Sequence, residues 1–269
     1  MCNPGQRQNN LTLFAQLTSS LKRVWHIVNF NTLVVLVVSL IATHICMLFE
    51  LYAELPLTII SITVIFPMVF SINSAYQRRE RALDSLGQLK AYLNAILLGI
   101  KDWRPERASS RSLDDQALLI AKHLLQDLSD YLGGRASKIS PKHVIKLSSF
   151  INNEGRESGI VPPEISRLNH FVALVMDASN GLCLIKEYRT PLTLKAFSTL
   201  FVFALPVLYA PHFARLAESY TFGLVYILPL LFSLVLVSLS NIQDELEDPF
   251  DNVGEDDIRV DISSILEGF

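Results

Sequence analysis

Apolar residues in this chain fall into four long runs, two near the start and two near the end, and between the pairs they recur every three or four positions instead. The first run begins after Asn31 and extends from Leu33 to Phe49. At 1.5 Å rise per residue it is long enough to cross most of a hydrocarbon core of roughly 30 Å. A short acidic hairpin around Glu50 and Glu54 follows, and Pro56 can start a second apolar helix from Leu57 to Phe70. The third and fourth runs are Leu192 to Pro211 and Phe222 to Leu239. Pro67, Pro206 and Pro229 do not argue against helices, because neighbouring helices can satisfy the backbone groups that proline frees; they predict kinks.

The central block, about Ala75 to Arg189, reads as helices without strands. The second run continues through Leu83, Leu86, Ala91, Leu93, Ile96 and Leu97 as a helical stripe, which predicts one long helix with one end in lipid and the other in water. Arg104 to Ser112 (RPERASSRS) is a flexible connection. Leu113 to Leu132 places Leu118, Leu124, Leu125, Leu128 and Leu132 on one helical face, and Gly133-Gly134 ends that helix. A short helix after Ser140-Pro141 and a longer one from Pro163 to about Tyr188 complete the block.

These patterns predict an all-α integral membrane protein with about four transmembrane helices and a cytosolic helical bundle. The organisation is a cytosolic segment 1–30, two transmembrane helices over 31–74, a cytosolic helical region 75–190, two more transmembrane helices over 191–241, and an acidic cytosolic segment 242–269. Lys22 and Arg23 precede the first span, Arg78, Arg79 and Arg81 follow the second, and Lys186 and Arg189 precede the third, whereas the two hairpins hold only Arg215. Basic residues near span ends resist translocation, so both termini and the central block are expected in the cytosol, with the chain multi-pass in a cell (inner) membrane.

Composition agrees with lipid as a solvent. Over 269 residues the chain is 50% hydrophobic and 18% charged, with a mean hydropathy of +0.34, too apolar for an ordinary soluble domain. A net charge of −3 gives no basic field for nucleic acid. Cys2, Cys46 and Cys183 suggest neither a disulfide framework nor a zinc cluster, and the first thirty residues lack the features of a secretory signal. No hydrolase, metalloprotease, phosphate-loop or dinucleotide motif is present, and His26, His44, His123, His143, His170 and His212 are scattered. No enzyme is expected.

Candidate chemistry lies on the second span. Ile62, Phe66 and Phe70 recur at i, i+4 and i+8 along one helix face. Such residues serve helix packing or lipid contact in any spanning helix. Around an axis shared by several subunits they would instead form stacked apolar rings that pass a dehydrated ion and gate by dewetting, with aromatic edges favourable to an anion. The same face then reaches Ser74, Gln77 or Arg78, and Arg81, where it turns polar and positive. Arg78 and Arg81 suit either vestibule electrostatics or anchoring against phosphate headgroups. After the fourth span the acidic run Asp244 to Asp261 offers oxygen ligands for calcium, yet Gly254 would place Pro249 in the first ligand position of an EF-hand. It reads equally as a solvated face or an arginine partner.

Three motifs add a resemblance. FSINSAYQRRE, Phe70 to Glu80, resembles the segment after the pore-lining second helix of bestrophins, with Asn73, Ala75, Tyr76 and Arg78 matching. YRTPLTL, Tyr188 to Leu194, is similar to that family's approach to the third span, and DELEDPF, Asp244 to Phe250, to its acidic exit from the fourth. The resemblance runs from about Leu33 to Asp261 and is closer to short prokaryotic or plant-type members. It implies a homopentamer around an axial pore, with a neck at Ile62, Phe66 and Phe70 and a cytosolic aperture near Ile165. It also implies passive conduction of chloride or other monovalent anions, with membrane lipids and ions as the other partners. The sequence departs from the family where Arg79, Glu80 and Arg81 replace a tryptophan pair and glutamate, and where DNVGEDD follows Asp-Pro-Phe. Calcium, the one cofactor raised, would fall on Asp248, Asp256 and Asp257. A cation channel of the same fold, and a membrane-anchored signalling or scaffold protein, are the alternative functions.

Overall fold

The structure, a computed structural model, describes residues 29–105, 111–188, 192–216, 222–251 and 257–267. Among these there are nine helices and no strand. They are α1 (Phe30–Leu48), α2 (Leu57–Asp102), α3 (Arg111–Leu132), α4 (Lys142–Glu157), α5 (Pro162–Glu187), α6 (Leu192–Leu208), α7 (Ala210–Arg215), α8 (Phe222–Glu247) and α9 (Ile262–Ile265). They divide into two compact units, one of residues 1–75 and 190–246, the other of 76–189 and 247–269.

The first unit contains α1, the start of α2, α6, α7 and most of α8. The sidedness of α1 is the reverse of a helix in a water-soluble bundle. On α1 the residues turned into the protomer are Thr32, Val35, Ser39, Thr43 and Cys46, while Leu33, Val37, Ile41, Ile45 and Leu48 point outward. Small and hydroxyl-bearing residues inside let helix backbones approach, and the bulky aliphatic face suits lipid or a neighbouring helix. The buried hydroxyls of α1 have partners: Ser39 Oγ donates to the Pro229 carbonyl at 3.3 Å, Thr43 Oγ1 to the Ser39 carbonyl, and Asn241 Nδ2 to Thr32 Oγ1 at 3.1 Å. In a medium without water each such bond satisfies a group that would otherwise cost several kcal/mol.

The predicted third run divides at Tyr209. α6 continues through Pro206, and a second proline, Pro211, sits in the first turn of α7, where its missing N–H is unneeded. Buried Tyr209 fills the corner with Leu205, Phe213 and Leu236. On the last turn of α7, Arg215 pairs with Glu54 at 2.6 Å.

The second unit is built as soluble domains are, around an apolar core. Leu89, Leu93 and Ile96 of α2, Leu125 and Leu128 of α3, Leu147 and Ile151 of α4, and Leu168, Val175 and Leu182 of α5 are fully buried together. Phe250 and the α9 residue Ile265 join this core from the C-terminal segment. Gly134, at φ 73°, adopts the left-handed conformation that ends α3.

Among the described residues, four helical segments are long and apolar enough to cross a membrane: Phe30–Leu48, Pro162–Glu187, Lys195–Arg215 and Val225–Glu247. Pro162–Glu187 is α5, whose apolar stripe is already spent on the core of the second unit and whose other faces carry Glu164, Arg167, Asp177 and Lys186. Charges distributed along its length would be costly in lipid. The start of α2 is the better spanning segment, since Leu57 to Gln77 carries no charged side chain.

Candidate pore-lining surface

On α2 the buried and open sides separate cleanly. Met68, Ser71 and Ala75 are buried in the first unit. Ile62, Phe66 and Phe70 lie on the other side, with 61%, 61% and 56% of their surface exposed. Residues four apart are stacked along a helix, and the Phe66 and Phe70 rings meet edge to face, centroids 4.6 Å apart and planes at 69°. This contact fixes the two rings against each other, so the stripe is pre-ordered in the isolated protomer. Ile65 and Val69 flank it and are also exposed, which makes the open face wider than one line of residues. Their i+3 spacing from Ile62 and Phe66 is the signal in the sequence that places them beside the stripe.

Arg78 and Arg81, both beyond this stripe, have different surroundings. Arg78 is half-buried, and its guanidinium donates to the Ile185 carbonyl at 2.6 Å. That carbonyl belongs to the last turn of α5, where backbone acceptors lack helical partners and the helix dipole is negative. Arg78 therefore caps α5. Arg81 is exposed, while Arg79 pairs with Glu80 at 3.2 Å.

Ile165 lies in the core of the second unit, 3% exposed, close to the position a side chain would take at Gly155. Its side chain is thus enclosed by its own protomer. The open apolar side chain at this end of α5 is Val161, its N-cap residue, 55% exposed.

The acidic exit of α8 has a structural use. Asp248 accepts from Lys186 Nζ at 3.2 and 3.0 Å through its two oxygens, and from the Phe250 N–H at 3.3 Å. The pair is largely buried, so it clamps the turn that delivers Phe250 to the core. Asp244 pairs with Lys195 at 2.8 Å. Of the other calcium candidates, Asp257 is half-buried and Asp256 lies outside the described residues. No group of three or more histidine, cysteine or carboxylate side chains suited to a metal gathers among the described residues.

No protein-family model matches the sequence, and no curated protein matches it. Solved structures do. A substituted variant of a membrane protein superposes with a TM-score of 0.72 at 14% identity, covering 88% of this chain and 96% of that one. A bacterial bestrophin homologue from Klebsiella pneumoniae, solved by zinc phasing, gives 0.69 at 14% identity, over 88% and 94%. A variant of that homologue gives 0.72 at 14% identity, over 87% and 96%. The chain has the bestrophin fold. Within this fold, the Asp-Pro-Phe element and Arg78 tie segments of the second unit together, and the face of α2 with Ile62, Phe66 and Phe70 is open in its own protomer.

Proposed function

We propose that the protein is a homo-oligomeric, passive ion channel, assembled as a pentamer, that conducts chloride or other monovalent anions along an axis lined by Ile62, Phe66 and Phe70. The observation that carries this reading is the apolar α2 face, open in the protomer at i, i+4 and i+8 on a chain with the bestrophin fold. Five copies of the face around an axis would stack rings of isoleucine and phenylalanine. An ion passing such rings sheds part of its water, and the passage closes when the constriction dries. Ring edges turned to the axis would favour an anion, because they carry the positive part of the aromatic quadrupole. At the α5 end, Val161 takes the aperture role. The flanking Ile65 and Val69 then meet neighbouring copies.

Recording the purified protein in planar bilayers under an asymmetric salt gradient tests the proposal. A reversal potential near the chloride equilibrium value is the expected result. A value near the cation's would retain the channel and overturn its selectivity. Silence from demonstrably pentameric protein would overturn conduction and favour a membrane-anchored scaffold.

A further inference from the structure

α3, α4 and α5 leave among them a cavity of about 270 Å3 that the conduction reading does not use. Leu124 and Leu128 of α3, Val144 of α4 and Met176 of α5 give it mainly apolar walls. Leu124 and Leu128 belong to the buried core of the second unit, so this side of the cavity is fixed by packing. Ser140, Pro141, Met176 and Asn180 are exposed and leave the opposite side open to solvent. An apolar cavity of about 150 Å3 is already large enough to take up benzene, so this one has room for a molecule of two rings.

Part of the wall is polar. Asp127, one turn from His123 on α3, faces His143 in the first turn of α4, with Oδ2 3.1 Å from the ring Nε2. The His143 ring stacks on that of His123, centroids 5.6 Å apart with planes at 19°. The pair holds the Asp127 carboxylate in place, and a carboxylate accepts further hydrogen bonds through its second oxygen. Ser179 of the same wall is buried and donates its hydroxyl to the Val175 carbonyl at 2.7 Å, so Asp127 is the stronger acceptor for a guest.

Charge and desolvation select that guest. A charged molecule would lose its hydration against apolar walls. An anion would also meet Asp127, and a cation would meet Lys142 and Lys146 of α4, which lie close to His143. A neutral molecule with an apolar body and one donor meets none of these costs. We infer that the cavity binds a small, neutral, planar ring compound whose N–H or O–H donates to Asp127 while its rings lie among Leu124, Leu128, Val144 and Met176. The inference does not depend on ion conduction.

The chain has four methionines, and Met176 is the one in the second unit, Met1, Met47 and Met68 belonging to the first. NMR of the full-length, detergent-solubilised protein labelled with carbon-13 at the methionine methyls therefore tests the site. Indole is the probe, and indene, of nearly the same shape but without the N–H, is the comparison. The Met176 signal, assigned with Met176→Leu, is expected to shift saturably, half-saturating below about 1 mM indole, an ordinary affinity for so small a ligand. Met47 and Met68 should change only in proportion to the indole dissolved in the detergent. Indene should need about tenfold more, the usual worth of one hydrogen bond to a charged acceptor, and Val144→Trp, which fills the cavity, should abolish the Met176 shift. A Met176 signal that moves only as Met47 and Met68 do, or not at all because a neighbouring copy covers the opening, would overturn the site. Equal half-saturation by indole and indene would overturn it as well, and this comparison decides if Val144→Trp fails to fold.

Discussion

A methyl group at position 99 would sit 2.9 Å from Leu168 Cδ2 and 3.0 Å from the Trp103 ring. An added methyl there would have to displace the buried Leu168 tip or the Trp103 ring. Gly99→Ala is therefore expected to lower unfolding stability by about 1–3 kcal/mol, the usual cost of overpacking a filled core, measurable as a reduced midpoint in thermal unfolding. Single residues also show how one side chain can have two sequence-level meanings. Arg78 suited a vestibule or a headgroup anchor, and it caps α5. Asp248 suited a calcium site, and its two oxygens receive Lys186. Both outcomes turn on partners 107 and 62 positions away in the chain, which local spacing does not reveal. His143 and Asp127 were scattered polar residues in the sequence for the same reason.

Periodicity carried most of the information at the level of elements. The long α2 helix follows from an apolar run passing into a helical stripe without a breaker, and it extends from Leu57 to Asp102. α3 ends where Gly133 and Gly134 predict. Two features were not legible. The break at Tyr209 depends on two prolines five residues apart and on a buried tyrosine corner. α8 outlasts its apolar run to reach Glu247, because Gln243 and Glu247 are buried by tertiary packing although their polarity suggests an exposed end. For α2, the proposed lining makes a direct prediction. Phe66→Ala and Phe70→Ala should raise single-channel conductance or abolish gating, with stability changed by no more than about 0.5 kcal/mol since both rings are open in the protomer. Unchanged currents in both variants would remove this face from the pore.

For the whole molecule, both units bury apolar side chains, but the first also turns long aliphatic and aromatic ones outward and buries hydroxyls on α1, whereas the second is built around one apolar core. The outward apolar surface of the first must be covered by lipid and, in the proposed assembly, by further copies. Native mass spectrometry of detergent-solubilised protein is expected to show five copies, and a stable monomer would leave the α2 face to lipid alone. The sequence by itself determined the long helices, the membrane as solvent for the chain, and the stripe at Ile62, Phe66 and Phe70, because hydrophobic periodicity and run length are local properties of the chain. Tertiary structure alone decided which residues α5 packs against, that Ile165 is enclosed while Val161 is open, and that His143 meets Asp127 and His123. Burial and pairing depend on which distant segments come together, and that is settled only when the helices pack.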